Sequence, residues 1–307
     1  MAKMEEVKFG IEIETCGKTI ESCAKLVSRF FNDAHIEYVG GYYNEHVIMG
    51  WKCMYDGSLR DDNNDNDYTC EIVSPLLSWD DIDLVCKLAT FLKKNDVYTN
   101  STCGIHVHVS HKDESVKALI NMINIVNARY DLLVDACIMS RARRVNWNNK
   151  ANIEFLEDVS KNKPKTYDEL ACYWYGMIDS NDSGMMRYIG KIGHSEMIRR
   201  SNLHYDNSRY QLCNLHSFYQ GKGVEIRAFN STLDESYIRA YVELSCAMYA
   251  KAINDKATSF RTRHNESNDS RQMCDFLWSM GIRGKDKRFK VTRELLIKNL
   301  DGRPWEK

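Results

Sequence analysis

Three short stretches of this chain put ligand-type side chains on one parity of an alternating apolar pattern. In Phe9-Gly10-Ile11-Glu12-Ile13-Glu14, Glu12 and Glu14 share one face of an extended strand, and Phe9, Ile11 and Ile13 share the other. In Gly104–Ser110, His106 and His108 oppose Ile105, Val107 and Val109; in Val224–Phe229, Glu225 and Arg227 oppose Val224, Ile226 and Ala228. Successive strand side chains alternate sides, so each stretch offers one face to a core and one to chemistry. A sheet with one side in water is the simplest reading of any one of them. Together they differ from a solvated face: the pairs are Glu/Glu, His/His and Glu/Arg, without lysine. Like carboxylates on one face repel unless a cation lies between them. Oxygen donors with one imidazole suit Mg²⁺ or Mn²⁺ better than a structural zinc site.

Other candidates are weaker. Glu71, in Cys70-Glu71-Ile72-Val73-Ser74-Pro75, is a further strand carboxylate or a strand-end charge with no role. Asp56-Gly57-Ser58 reads as a turn after a strand. Gly17-Lys18-Thr19 imitates a phosphate-binding loop, but the glycine needed five residues earlier is replaced by Glu12. Asp61–Asp67 brushes against a calcium loop yet lacks its turn glycine and closing glutamate, where Asn66 and Ile72 stand. His194, His204 and His216 lie among aromatics and arginines with no ligand-type partner. Taken by itself the main pattern leaves open a metal-dependent enzyme, an amidohydrolase-like hydrolase being one form of it, and a non-catalytic binding module.

The elements that must position these groups follow from periodicity. Strands are predicted over Val7–Glu14, Val47–Tyr55, Thr69–Val73, Gly104–Ser110, Tyr210–Ser217 and Val224–Phe229, with Gly221-Lys222-Gly223 as a hairpin turn. Helices are predicted over Thr19–Asp33, Trp79–Lys94, Asp113–Met139, Glu235–Asn254, Asp269–Met280 and Val291–Asn299. Strands separated by single helices, with some hairpins, indicate an α+β or mixed α/β domain. A chain of 307 residues, 43% hydrophobic, can bury a full core. Its formal net charge of -1 carries no global footprint for nucleic acid. From Lys251 onward, however, 14 Lys and Arg face 8 Asp and Glu. No apolar leader or 20-residue apolar run is present, and 11 cysteines occur without a C-x-x-C pair. The expectation is a cytoplasmic protein with reduced thiols, in a host cytoplasm if the gene is viral, without a membrane partner. The oligomeric state is not readable.

In order along the chain, Phe9–Glu14, Asp56-Gly57-Ser58, Glu71–Pro75, Cys103–His108, Arg209-Tyr210 with Asn214-Leu215, and Val224–Phe229 resemble the blocks of the amidoligase family. These are small ATP-dependent carboxylate–amine ligases related in fold to glutamine synthetase and glutamate–cysteine ligase. The blocks span Phe9 to about Leu244. The resemblance implies an α+β fold whose mostly antiparallel, curved sheet forms a glutamine-synthetase-like funnel flanked by helices. The expected catalytic domain covers residues 1–254; within it 141–207, which the pattern does not place, is read as an insertion or lid, and 255–307, which has no counterpart in the family, as a basic helical extension packed on it. The resemblance implies ATP with Mg²⁺ or Mn²⁺, and amide or isopeptide formation through an acyl phosphate. Glu12, Glu14, Glu71, His106 and Glu225 match metal ligands. Arg227 matches the arginine beside the transferred phosphate and Arg209 a second anion-binding arginine. His108, Arg143, Arg144 and Asn214 would contact the nucleotide, and Asp56 and Ser58 the substrate. Ser140-Arg141-Ala142-Arg143-Arg144 with Asn146 departs from the family's S-R-R-N spacing by one inserted residue. The substrate class stays open among small molecules, peptides and modified nucleotides carrying a carboxylate or an amine.

Overall fold

The computed structural model describes residues 1–141, 143, 148–179, 186–261 and 269–302. Ten strands form among the described residues: β1 (Lys8–Cys16), β2 (Glu37–Gly40), β3 (Glu45–Ile48), β4 (Trp51–Met54), β5 (Thr69–Val73), β6 (Gly104–Ser110), β7 (Met177–Asp179), β8 (Met186–Tyr188), β9 (Cys213–Asn214) and β10 (Val224–Asn230). Eight of them make one open, antiparallel sheet in the order β2-β3-β4-β5-β1-β6-β10-β9, and β7 pairs with β8 in a separate hairpin. The chain is thus a mixed α/β protein built on a large antiparallel sheet.

The alternation read from sequence decides which face is covered. Ile11, Ile13, Ile105, Val107, Val224 and Ile226 are buried in one continuous core with residues of the helices Ile20–Phe30, Ile82–Lys94, Val116–Ala128 and Glu235–Asn254. Each fully buried aliphatic side chain there contributes roughly 1.5–3 kcal/mol. The helix Glu235–Asn254 packs on β6 and β1, and Tyr241 on it stacks on Phe229, with centroids 4.2 Å apart at 14°. Both helix and strand therefore serve the core on this side, leaving the opposite side of β1, β6 and β10 to the charged groups.

Three predicted elements are redrawn. Val47–Tyr55 is two strands, because Met49 and Gly50 both take positive φ (50° and 82°) and close a two-residue hairpin between paired Ile48 and Trp51. Asp113–Met139 breaks at Arg129 (φ -117°, ψ 14°) into Val116–Ala128 and Tyr130–Ala136. The apolar stripe continues across the break, which hid it. Of Tyr210–Ser217 only Cys213–Asn214 pairs as a strand. The Asn214 side chain accepts the His216 N–H at 2.8 Å, and this local bond turns the chain into the short helix His216–Tyr219. Residues Ile153–Asn162, Tyr167–Trp174 and His194–Ser201 are helices that the sequence reading left unassigned. The imitation phosphate loop has a structural explanation: Gly17 turns the chain at φ 96°, and Thr19 caps the helix Ile20–Phe30 by accepting the Ser22 N–H at 3.2 Å.

The segment after Glu235–Asn254 runs along Val116–Ala128. Asn121 donates to the carbonyls of Ala252 and Asp255, both at 2.9 Å; Asn124 donates to Thr258 at 3.1 Å and Asn127 to Phe260 at 2.9 Å. The helix Lys290–Gly302 then returns to the body, where Thr292 donates to Glu243 at 2.6 Å and Asn299 to the Ala136 carbonyl at 2.7 Å. Among the described residues no helix is long and apolar enough to cross a membrane. All eleven cysteines are free thiols, ten of them buried.

Candidate functional site

Strand register brings the charged groups together. β1 lies between β5 and β6, so Glu12 stands opposite His106 and Glu14 opposite Glu71, while β10 sets Glu225 opposite His108. Four strands therefore contribute to one patch of the uncovered face. A β-bulge adds a refinement. Between Ile226 and Phe229, β10 uses one residue more than β6, while on its other edge the Arg227 N–H donates to the Leu212 carbonyl at 2.9 Å. Bulges re-aim side chains, and this one lies at Arg227.

The contacts are dense. His106 Nδ1 lies 3.0 Å from Glu12 Oε2 and 3.3 Å from Glu225 Oε1; its Nε2 lies 3.6 Å from Glu14 Oε1 and 3.3 Å from Arg143 Nη2. A guanidinium can only donate, so His106 Nε2 accepts from Arg143 and Nδ1–H points to Glu12. His108 Nε2 lies 3.0 Å from Glu12 Oε1, and its Nδ1 is 2.9 Å from the Ser217 hydroxyl. Glu225 is gripped by Arg227 on one oxygen and by Asn214 Nδ2 at 2.6 Å on the other. Glu14 accepts the Gly104 N–H and lies 3.8 Å from Arg143. A Cβ on Gly104 would occupy the space filled by the Arg143 guanidinium, so only glycine lets that side chain lie across β6.

Burial and neighbours set the protonation states apart. Burial opposes ionisation of Glu12 and Glu225, but His108 and His106 hold Glu12 well below the carboxylate range, and Arg227 with the same imidazoles holds Glu225 at about 2. Burial pushes Glu14 up to about 8 even with Arg143 beside it. Glu71 goes up strongly too, through burial and the repulsion of Glu12, Asp56 and Glu14. Burial and Arg227 depress His106 to about 4, whereas at His108 burial is opposed by Glu12 together with Glu225, and its value goes up.

Among the described residues two sets of groups could hold a cation. Glu12, His106 and Glu225 present ligand atoms all within 4.8 Å of one another, and so do Glu14, Glu71 and His106. Carboxylate oxygens with a shared imidazole fit Mg²⁺ or Mn²⁺. Burial, and then the repulsion of Glu12, Asp56 and Glu14, raises Glu71, and a shared cation would relieve that repulsion. Anion-binding capacity is present as well: Arg143 Nε and Arg227 Nε are buried with no hydrogen-bond partner. These donors fit a phosphate or carboxylate.

The remaining sequence candidates are placed as follows. Asn214 donates to Glu225 at 2.6 Å and accepts the His216 N–H at 2.8 Å, so its amide positions Glu225. Arg209 makes no hydrogen bond or ion pair with the cluster among the described residues; its guanidinium lies over Tyr205 and Tyr210. Ser58 is exposed and contacts Asp56 only through its N–H. Asp56 is not in contact with the cluster, but its charge raises Glu14 and Glu71. Arg144 and Asn146 lie outside the described residues. Sequence reasoning missed Ser217, which fixes His108, and Lys222, whose charge reaches Glu71 and His108. A lysine between two glycines just before β10 was the available signal for the second.

No curated protein matches the chain. A family model described as "Putative amidoligase enzyme" does match, over residues 5–249, a span that holds every residue of both ligand sets. The chain belongs to that amidoligase family.

Proposed function

We propose that this protein is a carboxylate–amine ligase that uses ATP and Mg²⁺ (or Mn²⁺) to form an amide or isopeptide bond through an acyl phosphate. The family supplies the class, an amide-bond-forming enzyme. The single observation that supports the finer reading is the meeting of two carboxylate–imidazole sets with two buried guanidinium groups on one sheet face.

A carboxylate resists attack by an amine at neutral pH. Phosphorylation of one of its oxygens creates a leaving group; the amine then bonds to the acyl carbon as the carbon–oxygen bond to phosphate breaks. Glu12, Glu14, Glu71, Glu225 and His106 would hold the divalent ions, which when bound neutralise the oxygens of the transferred group. Arg227 and Arg143 supply fixed positive charge to the same oxygens without reorganisation. Asn214 and Ser217 keep Glu225 and His108 in place.

The test is a screen of ADP release against pools of acids and amines with Mg²⁺ and Mn²⁺. Release that needs the ion, an acid and an amine supports the reading. Cleavage of amides without nucleotide, or no calorimetric binding of ATP with Mg²⁺, overturns it. In the same assay Gly104→Ala, which displaces Arg143, is expected to lower turnover about 10²-fold, the loss typical of one oxyanion donor. Its circular dichroism should match the parent's, and an unchanged rate would remove Arg143 from the machinery.

A further inference from the structure

The cationic excess toward the end of the chain has a defined place in the fold. Between Trp278 and Arg293, the cations Arg283, Lys285, Lys287, Arg288, Lys290 and Arg293 stand against a single acid, Asp286. This stretch joins the helices Asp269–Ser279 and Lys290–Gly302 and lies beyond residue 249, where the family match ends. The ligase reading makes no use of it.

A tight turn gathers the charges. The Asp286 N–H donates to the Arg283 carbonyl at 3.0 Å. Arg293 Nη1 donates to the same carbonyl at 2.9 Å and to that of Asp286 at 3.3 Å, which pins the turn to the helix that follows. Carbonyl acceptors leave the Arg293 guanidinium its full charge. Arg288 is matched by Asp286 at 2.7 Å and Glu5 at 3.0 Å, and Lys290 lies 3.9 Å from Glu294. Arg283, Lys285, Lys287 and Arg293 form no ion pair among the described residues, and the first three are exposed. Arg283 also reaches back to Trp278, with its guanidinium carbon 5.3 Å from the ring centre. One guanidinium covers one ring face, and at 62% exposure much of the indole still meets solvent.

We propose that the turn Arg283–Asp286, with Lys287, Arg293 and Trp278, is a docking surface for single-stranded nucleic acid. The cations face consecutive phosphates, and an unpaired base stacks on the indole. The inference does not depend on the ligase reading. An anionic membrane fits less well, because it needs an apolar face beside the cations. The helix Asp269–Ser279 instead turns Met273, Phe276 and Leu277 into the core and shows Cys274 and Asp275 to solvent. An acidic peptide matches the charge but brings no flat group to the ring.

The test is fluorescence anisotropy of a labelled twelve-nucleotide oligoadenylate RNA titrated with the full chain at low salt. Saturable binding is expected with a Kd of about 1–100 μM, weakening on a log–log salt plot with a slope of about −0.7 for each phosphate contacted, roughly −2 to −3 in all. Replacing Lys285→Gln and Lys287→Gln together should reduce that slope by about 1.4 and weaken binding about tenfold or more. Trp278→Ala should weaken binding about tenfold, and Trp278→Phe, which keeps a ring, should retain most of it. An abasic oligomer of the same length should bind about as weakly as RNA binds Trp278→Ala, and should be indifferent to that substitution. These side chains are exposed, so each variant should melt with the parent. No binding, binding indifferent to the lysine pair, binding indifferent to Trp278, or tighter binding to phosphatidylserine vesicles or polyglutamate than to the RNA would each overturn the proposal.

Discussion

Arg227→Ala is expected to abolish measurable ADP release, a fall of about 10³-fold or more, while Arg227→Lys retains a small fraction. Two effects combine. A buried cation aimed at developing phosphoryl charge is worth about 10²–10³ in rate. Arg227 also compensates Glu225, and removing one partner of a buried ion pair costs about 3–5 kcal/mol because the other charge is stranded. The melting temperature of Arg227→Ala should therefore fall by several degrees. The double variant Arg227→Ala with Glu225→Gln should regain much of that stability and none of the activity. If Arg227→Ala, folded by circular dichroism, turned over at the parental rate, the guanidinium would play no part in the chemistry.

The second large effect is a pH dependence of metal binding. Without a cation, Glu14 keeps its proton up to about 8 and Glu71 is shifted the same way, chiefly by burial. Unfolded, both ionise in the ordinary carboxylate range. Their protonated forms stabilise the metal-free fold fully below that range, and the contribution is lost as pH rises through about 8. A divalent ion needs the carboxylates, so binding must expel the protons. Mg²⁺ affinity should rise between pH 6.5 and 8.5, by up to about tenfold per pH unit for each proton displaced. Glu12 and Glu225 are shifted downward and stay ionised over this window, so they add no slope. Calorimetry in buffers of different ionisation enthalpy counts the protons directly. The rise in melting temperature caused by Mg²⁺ should likewise be larger at pH 8.5 than at pH 6.5. A flat affinity with no proton release would show that Glu14 and Glu71 are not ligands.

Much of the site could be read from the chain because a strand encodes its two faces in a period of two. Glu12, Glu14, His106, Glu225 and Arg227 each fell on the parity opposite a buried aliphatic, and register then made neighbours of them. What stayed hidden depends on bonds with no periodicity. The extra residue at Arg227 is a matter of ladder register, invisible in an uninterrupted Val-Glu-Ile-Arg-Ala-Phe. Asn214 looked like a strand residue, yet its amide both turns the chain and holds Glu225. The hairpin at Met49-Gly50 was masked because methionine is an unusual occupant of a positive-φ position. Short polar helices such as His194–Ser201 carry too few buried positions to announce themselves, although Arg200 there is buried against Asp206 at 2.6 Å.

The three asparagines on Val116–Ala128 have a corollary for how the end of the chain can vary. Each amide addresses a main-chain carbonyl, a group that every residue type provides; among the strap's own side chains, the Thr258 hydroxyl donates back to Asn121 at 3.1 Å and Phe260 packs against the core. Replacements at the exposed Lys256 and Ala257 should be nearly silent so long as the strap's length is kept. Adding or deleting a single residue would slide every carbonyl off its donor and drag the distal helices out of alignment. The attachment thus conserves spacing more strictly than identity.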